Sequence, residues 1–366
     1  MLSAEQELLG SLTISLPQPV DRQRRLLGRT HWQTLIDAAR LEGLAGMLNA
    51  NLRRSSLIEL LPATSAARLD ALYRRTAALN MQKSADLRAL ATRLEESATQ
   101  VVVLKGMALL ETLYGDPGLR ATGDIDVWVA GGDRKILVHA LELEGYAPEP
   151  FYPDTFRRGT TAIDIHTHLL GTERIRAREA ILAGGEAPML AGRRATSFGA
   201  TITRLGPPQE VLLLTLHLMK HNADRLLWLI EINELVAAFG DDDWQQLVTL
   251  ADAMAQTPSL ARVAYLASLL LPHTAARSLR NLAAANPPRG LHARALRQRG
   301  KRGALPVWGP LLFFSSQRGL RGRAASIFET LFPRPEVLRQ VFRDAETSAW
   351  RLYLRRVGQL VGLVFR

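Results

Sequence analysis

The chain has 366 residues, 47% of them hydrophobic, and no cysteine. That combination allows two or three globular domains with a large core and excludes a disordered chain, a disulfide scaffold, a thiolate metal site and a cysteine nucleophile. The net charge of +11 belongs to the last quarter: residues 277–366 carry 18 Arg and Lys against 4 Asp and Glu, and the rest of the chain is slightly acidic.

The N-terminus (Met1-Leu2-Ser3-Ala4-Glu5-Gln6-Glu7) is acidic where a signal peptide needs a basic stretch and an apolar run. No segment reaches the roughly 18 uncharged apolar residues expected of a membrane span. A reducing cytoplasm is therefore the expected compartment. Residues 1–97 read as a helical region: Trp32, Leu35, Ile36, Ala39, Leu44, Leu48 and Leu52 fall near helical spacing, and Ala66 to Leu94 is rich in helix formers. Residues 98–205 read as an α/β unit. Val101–Leu104, Ile125–Val129 and Ala162–His168 are strand candidates, Ala108–Tyr114 and Asp133–Glu144 are helical, and Gly145 suits a C-cap. Residues 206–285 form a second helical domain, with one helix expected from Gln209 to Phe239 and one or two more from Trp244 to Leu271. Residues 286–366 form a basic, Arg-rich region. Its first part, 286–325, reads as a partly flexible excursion, and Pro335 to Val364 reads as amphipathic helix. The fold class expected is α+β, a small mixed sheet flanked by helical regions.

The chemistry centres on Leu104-Lys105-Gly106, followed eighteen residues after Gly106 by Asp124-Ile125-Asp126. On a strand, positions i and i+2 share a face, so Asp124 and Asp126 are expected to project together while Ile125, Val127 and Val129 enter the core. Adjacent carboxylates repel unless a cation lies between them, and Mg2+, with Mn2+ as the alternative, prefers such oxygen donors beside substrate phosphates. A third carboxylate, Asp164, lies in Ile163-Asp164-Ile165-His166-Thr167-His168 and shares a face with His166 and His168. Paired with the first carboxylate strand, Asp164 completes a three-carboxylate site able to bind the metal and take a proton from an attacking hydroxyl. Lys105 and the Gly106 amide suit a phosphate cradle. His217, His221 and Arg225 follow at i, i+4 and i+8. That face could meet a triphosphate or acceptor, or form a polar seam between domains. The His pair also has zinc-binding spacing, but the Glu of the metalloprotease motif is missing. Arg120 is either a phosphate clamp or an ion-pair partner for the acids, His166 either orients Asp164, touches phosphate or is structural, and Trp228 reads as core.

Taken together, Leu104-Lys105-Gly106, Leu113-Tyr114, Arg120, Gly123-Asp124-Ile125-Asp126-Val127, Gly145-Tyr146, Ile163-Asp164-Ile165-His166 and the block Leu214 to His221 with Arg225 to Trp228 resemble a bacterial nucleotidyltransferase family of poorly defined substrate within the polymerase-β-like superfamily. The resemblance covers most of the chain. It implies Asp124, Asp126 and Asp164 as catalytic metal ligands and Lys105 with Gly106 as the nucleotide loop, with His166, His217, His221, Arg225 and Arg120 as further nucleotide-binding candidates. Two departures stand out: Lys-Gly replaces the superfamily's Gly-Ser, and Glu231 stands where the family is expected to have Asp. The implied reaction is Mg2+-dependent transfer of a nucleotidyl group from an NTP to a hydroxyl or phosphate on a peptide, glycan precursor, RNA end or small molecule. Glycosyl transfer from a nucleotide sugar on the same metal site, and a non-enzymatic antitoxin-like binding protein, are the alternatives. For the basic C-terminal region, a solvated surface, an anionic membrane at the inner face of the cell and nucleic acid are the candidate partners. The membrane is suggested by the apolar run Ala304 to Phe314 between Arg302 and Arg318, and nucleic acid ranks below it because no recognised nucleic-acid module is present.

Overall fold

The computed structural model describes residues 2–14, 20–171, 181–302, 305–306, 320–344 and 347–364. Helices α1 (Ala4–Leu9), α2 (Val20–Leu27), α3 (Trp32–Leu41), α4 (Ala45–Arg54) and the 33-residue α5 (Ala63–Glu95) form the N-terminal layer. Leu35, Ile36, Ala39, Leu44, Leu48 and Leu52 are all buried there, as their helical spacing requires.

A seven-stranded mixed sheet follows: β1 (Val101–Leu104), β2 (Ile125–Val129), β3 (Ala147–Glu149), β4 (Tyr152–Arg158), β5 (Thr161–His166), β6 (Arg194–Ala195) and β7 (Ile202–Arg204), in the spatial order β3-β4-β5-β2-β1-β7-β6. Three consecutive valines give β1 a wholly buried face on both sides, fitting its central place. In β2, Ile125, Val127 and Val129 enter the core and the residues between them are half-buried. Between β1 and β2, α6 (Lys105–Leu109) starts directly at the lysine and runs into a π-helical turn over Leu110–Tyr114 that ends at Gly115. After β2, α7 (Arg134–Leu143) ends as expected at Gly145: its φ is 80°, and the Tyr146 N–H reaches back to the Leu141 carbonyl at 2.9 Å. Helix α8 (Ala187–Leu190) precedes β6.

The helical domain departs from the expected continuous helix over Gln209–Phe239. Two helices occupy that span, α9 (Pro207–Lys220) and α10 (Leu226–Ala237). The chain reverses between them through Asn222 and Ala223, both with positive φ, and the Ala223 N–H closes on the Leu218 carbonyl at 2.8 Å. Helices α11 (Asp241–Ala253), α12 (Thr257–Leu270) and α13 (Arg277–Ala285) complete this layer.

The excursion expected over 286–325 is in part a helix, α14 (Gly290–Arg302). Long-range pairing orders it: Arg299 is buried, its Nη2 sits 3.0 Å from Glu42 Oε2, and its Nε donates to the Ala223 carbonyl in the reversal. The apolar run suggested as a membrane contact lies mostly outside the described residues; of it, Leu305 and Pro306 are buried. Helix α15 (Leu320–Leu331) follows, and the helix expected from Pro335 to Val364 is divided into α16 (Pro335–Phe342) and α17 (Ala349–Val364), with Arg343 in the left-handed region after α16.

Glu42 thus ties three distant segments together: it binds Arg299 and accepts the Leu226 N–H at the start of α10. Removing one member of a buried charged pair strands the other, typically at about 3–5 kcal/mol. Glu42→Ala is expected to speed amide exchange in the 218–230 segment by at least about tenfold, read by hydrogen–deuterium exchange. Unchanged exchange there would show that the reversal is held by something else.

Candidate active site

Parallel pairing of β2 with β5 sets Asp126 directly beside Asp164 and Trp128 beside His166, while antiparallel pairing of β1 with β2 sets Leu104 beside Asp126. Since alternate residues share a face, the register puts the Asp126, Asp164 and His166 side chains on the same side, next to the end of β1 where Lys105 begins. His166 Nε2 lies 2.8 Å from Asp126 Oδ1 and 3.5 Å from Asp164 Oδ2, and Lys105 Nζ lies 2.6 Å from Asp126 Oδ1. The Thr155 hydroxyl, on β4, donates to Asp164 Oδ1 at 2.7 Å. Gly171, with φ 52°, packs on the His166 ring so closely that a Cβ there would lie 2.4 Å from Nδ1.

Asp124 precedes β2 and is exposed at the mouth of the site rather than being a strand residue alongside Asp126. Among the described residues, the one group of three His, Asp or Glu whose ligand atoms lie within 4.8 Å of one another is Asp126, Asp164 and His166; Asp124 is outside it. Burial opposes ionisation of Asp126, but the Lys105 charge and the His166 contact win and hold its carboxyl well below the ordinary range. Partial loss of hydration against the cleft wall and the charge of Asp126 push the Asp124 carboxyl the other way. Two carboxylates supply hard oxygen donors and the imidazole a borderline nitrogen, a set that fits a divalent cation, so Asp126 and Asp164, with His166 beside them, are the residues that would hold it.

Lys105 has φ 52°, an uncommon conformation for a side-chain-bearing residue, and this turns its ammonium toward Asp126. Gly106 serves a packing need as well as lining the cleft. A Cβ there would stand 2.6 Å from Arg120 Nη1 and 2.8 Å from Thr122 Cγ2. The Arg120 guanidinium is itself committed: Nε bonds Glu231 Oε1 at 2.5 Å and Nη1 reaches the Thr122 hydroxyl at 3.2 Å, both groups being buried. The Tyr114 hydroxyl adds a bond to Glu231 at 2.9 Å. Glu231, whose role was open in the sequence, is thus the buried counter-charge of Arg120.

The opposite wall comes from the α9–α10 reversal. His217 and His221 rings lie 4.5 Å apart, His217 meets Trp228 edge-on at 4.4 Å, and the Arg225 guanidinium lies 5.7 Å from the Trp228 ring centre. Trp228 is therefore part of this wall, not only core. Burial and the nearby Lys105 charge push the His217 imidazole well below its usual range, so it is neutral at pH 7. All ten proposed site residues, Lys105, Gly106, Arg120, Asp124, Asp126, Asp164, His166, His217, His221 and Arg225, line one cleft of about 400 Å³. His168, beyond the strand end, is buried and sits 3.9 Å from Glu186. Sequence reasoning missed Thr155, Gly171 and Lys220. Lys220 Nζ donates to the Leu170 carbonyl at 2.8 Å and holds the loop over His166. The sequence signal for Gly171 was the glycine itself, directly after the carboxylate strand.

The sheet thus sets two in-register carboxylates against a cleft of about 400 Å³. The chain belongs to the family described as uncharacterised nucleotidyltransferase, whose model matches residues 28–272. No curated protein and no solved structure matches it.

Beside Lys105, Glu210 on α9 is buried, and burial with the neighbouring Glu231 outweighs the Arg204 charge and the Lys105 backbone N–H and pushes its carboxyl up to about 8. An acid whose folded pKa is raised keeps its proton while the unfolded chain loses it, so stability falls as pH rises from about 4.5 to about 8. Glu210→Gln is expected to remove that slope and to stabilise the fold by roughly 2–4 kcal/mol near pH 8, measured by unfolding midpoints across pH 5–8. Parallel wild-type and variant curves would contradict it.

Proposed function

We propose that this chain is a Mg2+-dependent nucleotidyltransferase that moves a nucleotidyl group from an NTP to a hydroxyl or phosphate on an acceptor. The observation that carries the proposal is the convergence of Asp126, Asp164, His166 and Lys105 on one face of the cleft opposite the His217–Arg225 wall. When bound, Mg2+ would supply charge neutralisation and alignment for an in-line displacement. Asp126 and Asp164 would hold it, with Asp124 at the mouth as a further carboxylate. Lys105, His221 and Arg225 would contact the triphosphate, and neutral His217 would donate or accept a hydrogen bond without adding charge.

In this reading the acceptor oxygen forms a new bond to the α-phosphorus, the bond to pyrophosphate breaks, and Asp164 takes the acceptor's proton. Thr155 holds Asp164 Oδ1 in place and leaves Oδ2 toward the site. A second cleft of about 310 Å³, lined by Tyr152, Thr155, Thr167, Val337 and Gln340, shares Asp164 and His166 with the first. That arrangement supports donor and acceptor reaching Asp164 from different sides. The polar lining suits a hydroxyl-bearing acceptor, and α16 supplies part of it. The reading locates the chain in the cytoplasm, where NTPs and Mg2+ are available, with its basic C-terminal region at the inner face of an anionic membrane. Among the described residues, no helix is long and apolar enough to cross a membrane.

The test is a thermal-shift panel of wild type and Asp126→Asn with each of four NTPs and one nucleotide sugar, with and without Mg2+. A ligand that binds only the native state raises the melting temperature. A Mg2+-dependent rise with an NTP that is lost in Asp126→Asn is expected. A rise with the nucleotide sugar alone would move the reading to glycosyl transfer, and no rise with any donor would sink it.

A further inference from the structure

Helix α17 has two faces. Leu352 is fully buried, the Tyr353 hydroxyl donates to the Pro333 carbonyl at 3.1 Å and Arg356 Nε to the Leu331 carbonyl at 2.9 Å, so one face is docked on the preceding helices. On the opposite face Trp350, Leu354, Val357 and Val361 are 60%, 61%, 44% and 50% exposed. Their spacing of four, three and four residues confines them to a sector of about 60° at 3.6 residues per turn. An isolated exposed apolar residue needs no explanation, but four in one helical row do.

The charges on α17 itself are of one sign. Helix α17 contains no acidic residue; exposed Arg351 flanks the row and lies over the Trp350 ring, while Arg355 and Arg356 turn toward the docked face, Arg355 over the Phe342 ring. The whole 277–366 region carries 18 basic against 4 acidic residues. Some of this charge is used internally, since Arg355 Nη1 pairs with Asp344 at 2.8 Å. The 16 residues of α17 are too few to span a bilayer but enough to lie along its surface.

We infer that α17 is an interfacial membrane helix that lays Trp350, Leu354, Val357 and Val361 into the headgroup–acyl boundary of an anionic phospholipid surface, with Arg351 at the headgroups. Charge complementarity selects this occupant. A second copy would bring an equally basic face against this one, and a nucleic acid would leave the apolar row without a partner. The surface gives the membrane part of the proposed function a residue-level form and does not depend on the chemistry at Asp126. It would also direct the enzyme toward acceptors at or near a membrane, because α17 packs on α16, which lines the acceptor-side cleft.

The experiment is co-sedimentation of the full chain with vesicles of phosphatidylcholine alone or mixed with phosphatidylglycerol. Wild type is expected to bind the mixed vesicles, less so at high salt, and to bind phosphatidylcholine weakly. The double variant Leu354→Glu/Val357→Glu is expected to lose about tenfold or more of that binding. Both positions are exposed, and an unchanged melting temperature and nucleotide response would show the variant folded. Asp126→Asn should bind vesicles as wild type does, so the membrane and nucleotide readings fail separately. Wild type that ignores anionic vesicles, or a double variant that binds as well as wild type, would overturn the inference. So would a wild-type dimer in solution that the double variant converts to monomer, which would assign the row to a second copy.

Discussion

The in-register pairing of Asp126 with Asp164 is the constraint on which the rest of the site depends. It forces two carboxylates side by side on one sheet face, and their repulsion has to be offset. In this structure His166 from β5 and Lys105 from the end of β1 supply the offset, both meeting the same oxygen of Asp126. The left-handed Lys105 backbone, the close approach of Arg120 to Gly106 and the seating of Gly171 on His166 follow from bringing those groups to one point.

The second wall of the cleft has an equally specific cause. If α9 and α10 were one rod, His217 and Trp228 would be three turns apart, about 16 Å along the axis. The reversal at Asn222 and Ala223 brings their rings to 4.4 Å. Glu42 from the N-terminal layer and Arg299 from α14 hold that reversal, so regions far from the carboxylates in sequence shape the cleft. Arg120 and Glu231 do similar work inside: a buried ion pair contributes little net stability, but it fixes where the loop before β2 meets α10.

Local patterns were legible in the sequence. The valine run, the alternating Ile125-Asp126-Val127 pattern and the Gly145 cap all lie where their side chains dictate, and the α+β class follows from their order. What was not legible depends on partners distant in the chain. Strand register is set by long-range pairing, so the neighbour relation of Asp126 and Asp164 could be expected but not read, although the bounds of β2 at Ile125 and Val129 were read from the sequence. The α9–α10 break carries neither Gly nor Pro; Asn222 is its only local cue. Helix α14 looked like a loop because prolines and glycines flank it, and it is held by partners distant in the chain: Ala295 and Leu296 are buried in the core and Arg299 pairs with Glu42. Glu231 could be assigned a role only once Arg120 was seen beside it.

The account's central claim is that Asp126 and Asp164 anchor a metal–nucleotide complex in the cleft between the sheet and the His217–Arg225 wall. The most direct measurement is a crystal structure of the full chain with Mn2+ and a non-hydrolysable NTP analogue, the ion being located by its anomalous signal. The account predicts an anomalous peak against the Asp126 and Asp164 carboxylates, with the phosphates between Lys105 and the His217–Arg225 wall. A well-occupied nucleotide elsewhere, or an ion bound away from Asp126, would contradict it.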